Sequence, residues 1–422
     1  MKGYIGYIAI FIIGLIIRAI VFSFGIHFDG DVWTLQKWAV YLFEFGLSDF
    51  YYSDQLTDHS PGYMYVLWLM GAIRDTTGWY VLSQEFNMMS FTPPILSDLI
   101  ASLFIYGICR RIFSEDGDFG KPFWFALAYS LNPSIIINSS AWGQTDAIHT
   151  LLMALALYSL YRKQGLPSYL LYSLAVLVKP HSLVVAPIFL FSAFHYFKQH
   201  RYAPKAALTM FGFAIITFAF MALLVLPFAQ NFNLISLWEQ YSEYLGIVPF
   251  ASINAYNFHT MMGSNFHSIN AFANFISLVA IIGVTLYSFW ILHKRWDRVS
   301  IFFCAAMLYI ITFNFAVQMR DRYLFPSILF LILAAIFMYK KNPVDKRVII
   351  LYAGFTITFF INCLDVLMTG HGFPLLTASP LPAGTWSPVH GTITLVSFIS
   401  VALAIYSLKI GWDISKWTDL EK

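Results

Sequence analysis

From Tyr4 to Phe24 the chain carries an almost unbroken apolar run, and comparable runs recur along its whole length. They fall near 4–24, 91–110, 122–140, 146–161, 206–227, 271–292, 299–318, 323–339, 348–368 and 390–409, with two shorter pieces at 167–178 and 182–197. Nothing else constrains the fold as strongly. In hydrocarbon the backbone N–H and C=O groups must be satisfied internally, so continuous runs of about 20 apolar residues read as helices of a bundle. The expectation is an all-α polytopic membrane protein of about 10–13 transmembrane helices, with residues 1–422 forming a single membrane domain. A hydrophobic fraction of 59% against 11% charged residues agrees, and 42 Phe, 25 Tyr and 12 Trp suit lipid-facing and interfacial positions. One lysine precedes the first run, as in a signal peptide, but no small-x-small cleavage site follows, so that run is expected to persist as the first helix.

Basic residues give the orientation. With the N-terminus inside, only Lys37, Arg74, Lys179, Arg320 and Arg322 fall in outer segments, and Arg18 lies within the first run. The other nineteen of the 25 lysines and arginines are inner. That asymmetry predicts cytoplasmic termini. The outer segments are then 25–90, 139–146, 179–181, 228–270, 318–322 and 369–389, and the unusual polar residues gather there. The net charge of +3 comes without a basic arm, which excludes nucleic-acid binding. Cys109, Cys304 and Cys363 lie in apolar stretches without ligand spacing and read as packed thiols.

Five outer clusters could carry chemistry. The loop after the first run holds Asp29, Asp31, Glu44, Asp49, Asp54 and Asp58. Leu35, Trp38, Ala39, Leu42 and Phe43 recur within it at helical spacing, so a short amphipathic helix is expected over 32–47. Asp29 and Asp31 sit just before it, where carboxylates either cap helix N–H groups or face a reaction centre. Asp58-His59-Ser60-Pro61-Gly62 follows, with proline and glycine fixing a turn. The second cluster is Trp142-Gly143-Gln144-Thr145-Asp146. Trp142 reads as an interfacial anchor or a stacking face for a sugar. Asp146 reads as a helix cap or, with Gln144, a hydroxyl ligand.

Lys179 stands third, beside Pro180 at a break between two short apolar pieces. A base at that depth either snorkels or meets an anion such as a lipid phosphate. Fourth, Arg320-Asp321-Arg322 is either a closed ion-pair cluster or an anion clamp, because guanidinium matches phosphate geometry. Fifth, Asn254 and Asn257 in the long outer loop are suited to sugar hydroxyls and equally to turns.

Taken together and in order, these residues resemble the GT-C superfamily of integral-membrane glycosyltransferases. The likeness is to prokaryotic mannosyltransferase-like proteins related to the GPI-anchor mannosyltransferases. It rests on Asp31 before Trp38-Ala39, Phe50-Tyr51, Trp142-Gly143-Gln144-x-Asp146, Lys179-Pro180, Asn254-Ala255-Tyr256-Asn257 and Arg322-Tyr323-Leu324-x-Pro326. Two elements depart from the family pattern: Asp58-His59-Ser60-Pro61 stands for Asp-Tyr-Pro-Pro, and Arg320-Asp321-Arg322 for His-Glu-Arg.

The resemblance implies a GT-C-like bundle with a helical first outer loop and with loops 25–90, 228–270 and 369–389 roofing the site. It implies a hexose, mannose by default, passed with inversion from a polyprenyl-phosphate donor to a glycan, lipid or protein acceptor on the non-cytoplasmic face of a prokaryotic plasma membrane. Asp31 matches the family's catalytic aspartate, with Asp58 as the second catalytic carboxylate. Asp29, His59, Trp142, Gln144, Asp146, Asn254 and Asn257 would bind acceptor or sugar, and Lys179, Arg320 and Arg322 the donor phosphate. No cofactor or metal is required, although a divalent metal serves the oligosaccharyltransferase branch. A transporter and a surface-glycan polymerase or ligase are the competing readings. A transporter predicts inverted repeats and midplane charges, whereas the polar groups here gather at one face.

Overall fold

The computed structural model describes residues 2–53, 59–113, 120–245, 249–371 and 388–417. Among them run α1 (Lys2–Ser23), α2 (Asp29–Phe45), α3 (Pro61–Thr77), α4 (Gln84–Phe113), α5 (Gly120–Ser130), α6 (Pro133–Ile136), α7 (Asp146–Tyr161), α8 (Gly165–Val178) and α9 (Ala186–Gln199). They are followed by α10 (Pro204–Val225), α11 (Leu234–Leu245), α12 (Phe258–Met261), α13 (Ala271–Lys294), α14 (Arg298–Phe315), α15 (Phe325–Lys341), α16 (Arg347–Gly370) and α17 (Pro388–Ser415). The protein is an all-α polytopic membrane protein. Eight spans among the described residues are long and apolar enough to cross a bilayer, and α7 and α8 are shorter apolar helices. The core includes the packing of α14 on α15, with every residue from Phe325 to Met338 buried. By contrast, none of the most apolar window of α10 is buried within the protein, as lipid contact demands.

Two departures from the sequence reading shape the site. The run at 122–140 is not one helix. Asn132 and Pro133 break it, with Asn132 Oδ1 accepting from Ser134 N–H at 2.9 Å and Ile135 N–H at 3.4 Å while its amide donates to Tyr352 Oη at 2.7 Å and Thr356 Oγ1 at 2.8 Å. After α6 the backbone widens into a π-type turn, with Trp142 N–H reaching Ile137 O at 2.9 Å. A bulge of this kind re-aims the chain beyond it. The first outer loop is more helical than expected: α3, which the apolar reading did not mark, packs along α2. Gln36 fastens this pair to α4, its Nε2 donating to Asn87 Oδ1 at 2.8 Å and its Oε1 accepting from Leu82 N–H at 2.6 Å.

The long loop after α10 folds back onto the segment between α14 and α15. Ser252–Ile253 (β1) pairs in parallel with Met319–Arg320 (β2), in the register Ser252 to Met319 and Ile253 to Arg320. The fourth and fifth sequence clusters thus become neighbours. Residues 372–387, most of the loop expected to roof the site at 369–389, lie outside the described residues.

Candidate active site

α2 begins without a side-chain cap on its N-terminus, although Asp29 and Asp31 both occupy its first turn. The two aspartates diverge. Asp29 is 73% exposed and lies 3.1 Å from His27 Nε2. Asp31 turns inward, and its Oδ2 accepts hydrogen bonds from Trp142 Nε1 at 3.0 Å and Gln144 Nε2 at 2.7 Å. These contacts join the first outer helix to the loop at the end of the π-type turn, more than 110 residues away. Gly143 makes the loop feasible: its φ is +77°, and an added Cβ would meet the Phe91 ring at 2.7 Å. Glycine alone meets both conditions without strain.

Asp146 is fully buried and also forgoes capping. Thr145 is the N-cap of α7 and makes no side-chain cap bond, while Asp146 Oδ1 accepts from Lys179 Nζ. Lys179 ends α8 in an extended conformation (φ −152°, ψ 117°), and the chain continues as a 3₁₀ turn, Pro180–Val185. A helix C-terminus favours a cation. The break is fixed from several sides: Tyr309 Oη donates to His181 O at 2.9 Å, and His181 stacks on Tyr323 with ring centroids 4.3 Å apart. Lys179 Nζ lies 5.3 Å from the Tyr323 ring centre.

Arg322 closes the arrangement from the α14–α15 segment. Its guanidinium lies 5.7 Å from the Trp142 ring centre and 3.6 Å from Asp321. Burial opposes its charge, but Asp321, Asp31 and Asp146 together outweigh that and hold it firmly protonated. Arg322 Nε and Asp146 Oδ2 are buried without hydrogen-bond partners among the described residues. Burial pushes the Asp321 carboxyl up to about 6, with Arg322 opposing the shift.

Four sequence clusters therefore meet at one place: Asp31, the Trp142–Asp146 loop, Lys179 and Arg322. Trp142 and Gln144, expected against a sugar, directly support Asp31, and Trp142 also carries Arg322 on its face. His59 adjoins the Lys179 break, because the next residue, Ser60, donates to Leu177 O at 2.7 Å. Its own ring packs 5.4 Å from that of Trp38. Asp58 lies outside the described residues.

Arg320 is half-buried in β2 beside Asn254. The asparagines serve the loop. Asn257 is fully buried, caps α12 through Thr260 N–H at 3.1 Å and donates to Phe313 O at 3.0 Å. Asn254 is held through Asn265 and through Asn362 Nδ2 at 2.6 Å. The sequence reading missed His149, buried 3.5 Å from Asp146. The signal was its place three residues on, on the same helical face. Among the described residues, no three His, Cys, Asp or Glu side chains converge as a metal site.

The sequence model of Glycosyltransferase family 87 matches residues 88–318, just over half of the chain. The match takes in Trp142, Gln144, Asp146 and Lys179, and leaves Asp31 and Arg322 on either side. No curated protein matches the sequence.

Proposed function

The chain belongs to glycosyltransferase family 87, and on that premise we propose that it passes a hexose from a polyprenyl-phosphate donor to an acceptor hydroxyl with inversion. The observation that carries this reading is the pairing of one supported carboxylate with two inward cations. Asp31 receives Trp142 and Gln144 on a single oxygen, Oδ2. In this reading its Oδ1 takes the proton of the incoming hydroxyl. On the same reading Lys179, paired with Asp146, and Arg322, over the face of Trp142, take up the charge that the phosphate gains as it leaves. In the transfer, the acceptor oxygen bonds to the anomeric carbon as the bond from that carbon to the phosphate oxygen breaks. The acceptor's proton goes to Asp31, and the bonding pair leaves with the polyprenyl phosphate. A positioned base contributes on the order of 10²–10⁴-fold, and fixed cations act most strongly on charge that develops in the transition state.

Mannose is the first donor sugar to try, from the resemblance to the GT-C mannosyltransferases. Donor and acceptor would meet on the non-cytoplasmic face of a prokaryotic plasma membrane, with both termini cytoplasmic, as the distribution of basic residues supports. His59 borders the acceptor side in this reading, and Arg320 adds to the positive field around the phosphate. No metal is required, so turnover should survive EDTA. Binding of a short-chain polyprenyl-phosphate hexose tests the assignment. Lys179→Met and Arg322→Met should each weaken it by about tenfold or more, the loss of a charge-assisted hydrogen bond. Unchanged affinity in both variants would overturn the reading.

A further inference from the structure

Behind Lys179 lies a buried polar chain that the transfer itself does not use. His149 is 0% exposed, with Nε2 3.5 Å from Asp146 Oδ1 and Nδ1 3.0 Å from Ser182 Oγ. Ser182 has one hydroxyl proton, and it goes to the Ala175 carbonyl at 3.0 Å. With its proton so directed, we assign Ser182 Oγ as the acceptor of the His149 bond, which places a hydrogen on Nδ1. In the neutral ring, Nε2 is then a bare lone pair, and it makes no hydrogen bond among the described residues. Two acceptors, Nε2 and the Asp146 carboxylate, face each other across a short buried gap. The Lys179 ammonium, paired with Asp146, is the charge that reconciles them. The other charged or titratable groups around the ring, among the described residues, are His181, with its ring centroid 6.3 Å away, Arg322, which acts on Asp146, Tyr309, which holds His181, Tyr172, which donates to Ser182 O at 3.2 Å, and Tyr323, which faces Lys179 and His181.

We propose that donor binding draws Lys179 towards the phosphate and that a proton taken up between His149 Nε2 and Asp146 replaces it. Release of the polyprenyl phosphate would return Lys179 to Asp146 and expel the proton. The driving force is the large penalty on a buried carboxylate left without a counter-charge. His149 is on this account a positioning residue: it touches no substrate and lets Lys179 move. The proposal rests on Lys179 being a donor-phosphate ligand, and the experiment separates the two.

The probe is farnesyl methyl phosphate, a phosphodiester with no proton to trade near neutral pH. Its binding to the full-length protein in nanodiscs is followed by calorimetry in buffers of different ionisation enthalpy. At about pH 8 the wild type should take up about one proton per ligand bound, and affinity should fall by up to about tenfold per pH unit above that. In His149→Asn, whose amide can still donate to Ser182, the uptake should vanish and the affinity become flat with pH. Wild-type binding without proton uptake overturns the proposal even if Lys179→Met abolishes binding. Binding that survives Lys179→Met unchanged instead overturns the phosphate assignment. The wild-type buffer series decides the matter even if a variant fails to fold.

Discussion

Asp29 and Asp31 stand two positions apart in the first turn of α2, and local pattern does not choose between them; only the family resemblance points to Asp31. Geometry separates them: Asp29 faces water beside His27, whereas Asp31 accepts from Trp142 and Gln144. Sequence pattern names the residue types at such a site, but which carboxylate turns inward depends on the rotation of α2. The buried face of α2 carries Gln36 beside Val32, Trp38, Ala39 and Leu42, and a buried glutamine's partner, here Asn87, cannot be read from apolar periodicity. Asp321 supports a prediction at this scale. Its carboxyl moves from 3.8 up to about 6 because it is buried, so the folded state holds the proton more tightly than the unfolded chain. The associated stability is full below about pH 4 and is lost as pH rises through about 6, a change of about 3 kcal/mol. Asp321→Asn cannot lose a proton. Its melting temperature should therefore gain on that of the wild type between pH 4 and 7, and a constant difference across that range would contradict the assignment.

Helix packing brings the distant clusters together. The N-terminus of α3 abuts the end of α8 so closely that a Cβ on Gly62 would lie 2.6 Å from the Leu177 carbonyl. Gly62→Ala should push α3 away from the Lys179 break, destabilising the protein by about 1–3 kcal/mol, as overpacking does. Thermal denaturation in detergent measures that loss, and it should come with weaker donor binding. The apolar spans were legible because lipid imposes one solution on them. The break at Asn132–Pro133 and the π-type turn after it were not, since both sit inside an apolar run. Their cause is tertiary: Asn132 is held by Tyr352 and Thr356 of α16. The same limit applied to Asn254 and Asn257. Asparagines that build a loop and asparagines that bind a sugar look alike until the loop's partners, β2 and Asn362, are in place.

For the molecule as a whole, the fold class and family rest on different observations and agree: an all-α membrane bundle and a glycosyltransferase. The orientation rests on the basic residues alone. All three native cysteines are buried and form a quiet background for single-cysteine labelling. Tyr80 and Tyr202 are both well exposed, in the α3–α4 and α9–α10 connections. In sealed right-side-out vesicles, Tyr80→Cys should react with a membrane-impermeant maleimide and Tyr202→Cys should not. The reverse pattern would put the site on the cytoplasmic side.

The most direct test of the central claim, that Asp31 is the base of a polyprenyl-phosphate-dependent transfer, is release of polyprenyl phosphate from a short-chain donor. Purified protein in nanodiscs would be given the donor with a membrane extract as acceptor. Wild type and Asp29→Asn should turn over at similar rates. Asp31→Asn should bind the donor normally and lose about 10²–10⁴-fold in kcat. Normal turnover in Asp31→Asn would contradict the account.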